Sequence, residues 1–396
     1  MGPSIKRPIT AIPRYRPHHG TALLSAGFRP FFLVAALWSA LAVPLWLAAF
    51  GGEGSLPSAL PAAVWHVHEM VFGFAAATVA GFMLTAIPNW TGRLPLQGAP
   101  LALLVLLWFL GRVAVFWSAT IGPDTAALLD LAFPLVFLGV VTREILTGRS
   151  WRNLPLAAAL ALLLLGNLLV HLEAVGVAAS AELGNRVGVA TLLMLISFVG
   201  GRIIPSFTRN WLAREHPESA APAIFDGWDR AALAITALTL VLWALAPHNQ
   251  VTSWTAFAAA LALGIRLARW RGATSWHEPL LWVLHLGYAW LGFGFLLLAL
   301  NGVTALLPQT AALHALTTGA IGTMTLAVMT RASLGHTGRT LAAGPGTTTI
   351  YALVTLAAAL RVLAPLAEAY YLVVLWLAGQ HGAAPSRCSR SSMRGR

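Results

Sequence analysis

The sequence predicts an all-α fold, a polytopic transmembrane helical bundle of eleven or twelve spans. Three observations predict it. The 396 residues are 58% hydrophobic and only 10% charged, with mean hydropathy +0.75, whereas soluble domains carry roughly 25% charged residues. The apolar residues gather in runs close to the ~20 residues that cross ~30 Å of hydrocarbon. The basic residues crowd into alternate connections between those runs, as the positive-inside bias requires.

In chain order, residues 1–27 form a basic, Pro-rich arm with Lys6, Arg7, Arg14 and Arg16. It has no apolar core, so it reads as a cytoplasmic arm and not as a secretory signal. The transmembrane bundle is expected over 28–380. Apolar runs at 28–50, 69–88, 99–117, 125–146, 154–173 and 185–205 make six spans. A cytoplasmic connection at 206–229, with Arg209, Arg214, Glu215, Pro217 and Pro222, separates the half 28–205 from the half 230–380. The second half holds runs at 230–247, 251–268, 279–300, 309–331 and 347–364. A twelfth, 368–379, has only about eleven strongly apolar residues before Gly379 and reads as short or interrupted. Residues 381–396 read as a disordered cytoplasmic tail.

With the N-terminus inside, only Arg112, Arg186 and Arg361 of the 25 basic residues fall at outer ends of spans. The net charge of +12 is therefore assigned to topology, and a lipid bilayer rather than nucleic acid is the expected partner. The sole cysteine, Cys388, lies in the tail. No disulfide framework and no C-x-x-C-H haem attachment can be built, so a haem would be non-covalent and held by axial ligands.

The stretch WHVHEMVFGFAAATVAGFMLTAIPNWTGR at 65–93 carries the chemistry. It puts two histidines and an acid at one end of an apolar helix, and such groups inside a membrane mark function by default. The frame recurs without a gap. Between 68–93 and 314–339 seven positions are identical: His68/His314, Gly73/Gly319, Met83/Met329, Ala86/Ala332, Thr91/Thr337, Gly92/Gly338 and Arg93/Arg339. GGRIIPSFTRNW at 200–211 echoes the end of this segment, so three internal four-helix repeats of about 120 residues fit the spacing.

Alternating direction and a ~1.5 Å rise per residue give each polar group a depth. The outer third of the bundle is expected to collect His66, His68, His171 and His314 with Glu69, Asp130 and Glu173, while His285 lies in the inner third of its span. Imidazoles with carboxylates to fix their tautomers suit a transition metal or haem iron. A histidine repeated at equal depth on a second helix suggests a paired site for His68 and His314. His66 and His68 point ~160° apart on a helix, so one span could serve two centres. Met70, one turn beyond His66, is a thioether companion suited to copper. If His66 precedes the helix, both rings can converge, and the sequence leaves both arrangements open. Taken singly, interfacial histidines more often bond loop backbone, and small residues such as Gly73, Gly81, Gly319 and Gly322 more often permit close helix packing.

These residues carry a resemblance. GFRPFFL at 27–33, the 65–92 stretch, GGRIIPSFTRNW at 200–211, LHLGYAWLG at 284–292 and the 314–339 segment resemble the NnrS family, which weakens beyond Gly382. The resemblance implies a bacterial inner-membrane protein with haem, of b-type, and copper. It implies a role in nitric oxide metabolism, denitrification and tolerance of nitrosative stress. The family's histidine motifs fall on His66, His68, His285 and His314, beside Glu69. Nitric oxide or its metal adducts are then the expected partner, and no electron-donor site can be read from the chain. A secondary transporter is the alternative, since transporter folds are built from repeats. It would put its polar site at the midplane, not in the outer third.

Overall fold

A computed structural model describes residues 20–52, 54–304, 307–367 and 370–379. Most of the basic arm, the tail and Cys388 lie outside the described residues. Eleven helices among the described residues are long and apolar enough to cross a membrane, and no strand occurs there. They are α1 (Phe28–Phe50), α2 (Ala62–Thr91), α3 (Ala99–Phe116), α4 (Pro123–Thr147), α5 (Trp151–Ala174) and α6 (Ala181–Glu215). After the 216–226 connection come α7 (Gly227–Leu245), α8 (Gln250–Arg269), α9 (Pro279–Thr304), α10 (Gln309–His336) and α11 (Pro345–Leu366). The expected twelfth span is represented by a helical stretch at 371–379. Nine residues rise only ~14 Å, too little to span, and its Gly379 packs against the Leu47 side chain of α1.

The helices end where the sequence changes chemistry. α2 stops at Thr91 because Gly92 takes a left-handed conformation, φ +71°, and its N–H caps the Pro88 carbonyl. Gly338, its partner in the repeated frame, has φ +69° just past α10. α4 starts with Pro123 in its first turn, where a missing N–H costs nothing. On the rim, Leu103, Leu106, Leu128, Leu135, Leu162 and Leu165 are exposed. Such continuous apolar faces are stable against acyl chains, and the molecule is a multi-pass membrane protein.

The interior is organised by α2, α6 and α10, each of which touches the other two. Each also carries a π-helical segment: Glu69–Ala75, Ile196–Gly200 and Ala315–Gly322. Two of the segments begin directly after His68 and His314, so the repeated sequence frame is a repeated backbone frame. The wider π turn frees carbonyls for other donors. Gly73 O accepts from Trp108 Nε1 at 3.0 Å, and Ser197 O accepts from Arg266 at 2.8 Å. Between membrane helices, where lipid competes for apolar contact, such polar bonds and close approaches supply the adhesion. α5 and α6 meet at Gly166 and Gly184, where an added Cβ would collide with the facing backbone.

Candidate functional site: a charge cluster and a cavity on opposite faces of α2

Two polar sites lie at the distal end of the bundle, where α1 finishes and α2 begins. α2 is helical from Ala62, so His66 and His68 are both on the helix and face different surroundings.

On one face is a closed cluster. His68, Glu69, Arg112, Asp130, Asn167 and His171 come from α2, α3, α4 and α5, and all are buried. Arg112 bridges the two acids, donating to Glu69 Oε2 at 2.7 Å and to Asp130 Oδ1. Trp38 Nε1 of α1 donates to the same Glu69 oxygen at 2.7 Å. His171 Nε2 donates to Asp130 Oδ2 at 2.9 Å, and Asn167 Nδ2 donates to that oxygen at 2.8 Å. His68 Nδ1 faces Glu69 Oε1 at 3.0 Å, and its Nε2 faces Asn167 Oδ1 at 2.9 Å and Asp130 Oδ2 at 3.3 Å.

Both ring nitrogens of His68 therefore face acceptors, and both carry hydrogens in this arrangement. Two carboxylates are balanced by Arg112 and an imidazolium, as burial of charge demands. His68, Asp130 and His171 do place ligand atoms within 4.8 Å of one another. Yet both ring nitrogens of His68, Nε2 of His171 and both Asp130 oxygens are committed to hydrogen bonds. Gly73 seals the cluster: a Cβ there would stand 2.9 Å from both Glu69 Oε2 and Trp38 Nε1.

On the other face is a cavity of about 1250 Å³, bounded by α1, α2, α6, α10 and α11. His66, Met70, His314 and Arg361 line its distal part, with Glu182 and Arg186 nearby. Val71, Phe74, Val189 and Ile321 make its middle apolar, and Arg29 and Arg339 stand at the proximal end. His66 stacks on Trp46, ring centroids 4.0 Å apart, and its buried Nδ1 has no hydrogen-bond partner. His314 Nδ1 donates to Thr310 O at 2.7 Å. That bond fixes the tautomer, so Nε2 carries the lone pair and accepts from Arg361 at 2.6 Å. The Arg361 guanidinium also lies over Trp46, 5.2 Å from the ring centroid.

A family model described as NnrS protein matches residues 22–382, nearly the whole chain. The chain belongs to the NnrS family. The match takes in all eleven spans and both sites. No curated protein matches the sequence.

The structure distributes the candidate residues in ways the sequence did not anticipate. His68 and His314 are not brought together: His68 meets His171 and Asp130, while His314 shares the cavity with His66. Glu69 and Asp130 do sit beside His68. Glu173 instead accepts from the Ala181 N–H at 2.8 Å and ties down the start of α6. His285 is apart from both sites. Its Nδ1 donates to Leu281 O at 3.0 Å, and Thr208 Oγ1 is 3.5 Å from Nε2. Gly81 and Gly319 are filled against Phe32 and Trp290, which is close packing, while Gly322 lines the cavity. Arg112, Arg361, Trp38 and Trp46 were not among the expected site residues. Arg112 and Arg361 had a signal: both break the charge bias of the topology.

Proposed function

We propose that this NnrS family member is a haem- and copper-binding protein of the bacterial inner membrane that handles nitric oxide, with its cofactors in the cavity near the periplasmic face. One observation carries this. Imidazoles from two separate spans line one large, mainly apolar space: His314 carries its lone pair on Nε2, and His66 has a buried Nδ1 with no hydrogen-bond partner. The cavity has the volume for a planar macrocycle, whereas the His68 cluster has none. A ferrous haem with an exchangeable position binds nitric oxide strongly.

The chain's own residues would do the rest. Thr310 O holds the His314 tautomer that puts the lone pair on Nε2, and Trp46 fixes the plane of His66. Met70, one turn from His66 on the same wall, completes an imidazole–thioether set that suits copper. The apolar middle excludes water and admits an apolar gas dissolved in the bilayer. The His68 cluster, in which His68, Glu69 and Asp130 are held by hydrogen bonds involving four neighbouring helices, anchors the helix that carries His66.

The test is haem and copper content of the purified protein and two variants. His314→Ala is expected to lose haem and retain the fold. His66→Ala is expected to lower copper while leaving most haem, and equal loss of both would contradict separate ligand roles. The cavity runs from Arg361 to Arg339, which keeps transport of a small solute as a second reading, while its apolar middle is not the midplane polar site that reading expects. A folded wild-type protein with neither cofactor would bring that reading forward.

A further inference from the structure

We propose that Arg361 makes the distal end of the cavity an anion site, which takes a planar two-oxygen anion, a carboxylate or a small inorganic oxyanion, on its guanidinium. The proposal rests on the cavity being a ligand site but not on which metal enters it. Arg361 is 9% exposed, in an apolar span. Buried arginines elsewhere in the bundle have acids: Arg112 has Glu69 and Asp130, and Arg266 has Asp229 at 2.7 Å. Arg361 has no carboxylate partner among the described residues. Its electrostatic neighbours are His66, His314 and Tyr371. Glu182, on the same cavity, is bonded to Arg186 at 3.2 Å and is largely exposed.

A buried cation without a counter-ion is costly. Here the cost is only partly offset by a neutral imidazole acceptor and the Trp46 face. A ligand that brings its own negative oxygens would supply the missing charge, and a planar fork matches the guanidinium in two parallel bonds. The exchange has a second consequence. An anion on Arg361 draws its N–H away from His314 and uncovers Nε2. The same event that neutralises the arginine frees the imidazole.

The anion has two sources, a free ion or the carboxylates of a bound porphyrin, and two titrations separate them. Full-length protein in detergent is titrated calorimetrically with sodium formate and sodium nitrite at constant ionic strength. In parallel it is titrated with haem and with haem dimethyl ester, whose carboxylates are blocked. A free-ion site gives formate or nitrite binding that Arg361→Gln weakens by about tenfold or more. A porphyrin-carboxylate site gives a preference for haem over its ester that Arg361→Gln abolishes. If Arg361→Gln does not fold, Arg361→Lys keeps the charge but not the fork, and is expected to weaken whichever binding is present by a smaller factor. A folded variant that matches wild type in both titrations would overturn the proposal. Because the free-ion titration needs no cofactor, absence of haem binding would not by itself decide it.

Discussion

His66 and His68 stand two residues apart on α2 and belong to different sites. The ring of His66 stacks 4.0 Å from Trp46 on the wall of the cavity. His68 points to the opposite side, hydrogen-bonded to Glu69 at 3.0 Å and Asn167 at 2.9 Å in a closed cluster. Helical periodicity alone imposes the divergence. It lets one span present a ligand to an open space while its other face is clamped by four neighbouring helices.

The cluster is expected to be a stability element. Asp130→Asn removes one of two acids that neutralise Arg112 and His68 and leaves a buried charge uncompensated, which costs about 3–5 kcal/mol. The thermal midpoint in detergent should fall clearly, while copper per folded protein stays at the wild-type value. Loss of copper from folded Asp130→Asn, or from folded His171→Ala, would move the metal into the cluster.

Gly73 gives the cluster its tightness. Gly73→Ala would force a methyl against Glu69, Trp38 and Arg112, at 2.9 to 3.0 Å, an overpacking worth about 1–3 kcal/mol. Gly139→Ala, on a helix with nothing within 4 Å of the new methyl, should be neutral or gain up to about 1 kcal/mol from helix propensity. Chemical denaturation of the two variants beside wild type measures the difference. Equal stabilities would show that the cluster yields more easily than its geometry implies.

Acid sensitivity is expected at the start of α7. Asp226 caps that helix through the N–H groups of Trp228 and Asp229 and pairs with Arg269. The Arg269 bond leads the causes that hold its carboxyl down at about 2, helped by the backbone donors. An unfolded aspartate titrates near 3.9. The stabilisation is therefore complete above about pH 4 and is lost as pH falls towards 2. Asp226→Asn keeps the cap but not the charge. Its deficit against wild type should be largest at pH 5 and nearly vanish by pH 2, measured as thermal midpoints. A pH-independent difference would contradict the ion pair.

The spans are legible in the sequence because lipid imposes a length and a composition on each of them. The run at 28–50 is α1 to the residue, and 99–117 differs from α3 by one. The cluster and the cavity are less legible, because apolar periodicity does not say which helix touches which. The repeated frame shows why. It relates His68 to His314 as equivalent positions of two units, and the backbone confirms the equivalence in the π segments and in the glycines at +71° and +69°. Equivalent positions meet only near a symmetry axis, and these two lie on different faces of the packed bundle. The better signal was electrostatic. Arg112, Arg186 and Arg361 are the three basic residues that disobey the charge bias, and the structure puts the first in the cluster and the other two on the cavity wall. A charge that topology does not explain has a partner or a ligand to explain it.

The most direct measurement is a reduced-minus-oxidised optical spectrum of the protein purified in mild detergent from haem-replete cells, repeated after adding nitric oxide and again with His314→Ala. Haem in the cavity predicts a Soret band with resolved α and β bands that shift with nitric oxide in wild type and are lost in the folded variant. A colourless wild-type protein, or a spectrum unchanged by His314→Ala, would contradict it.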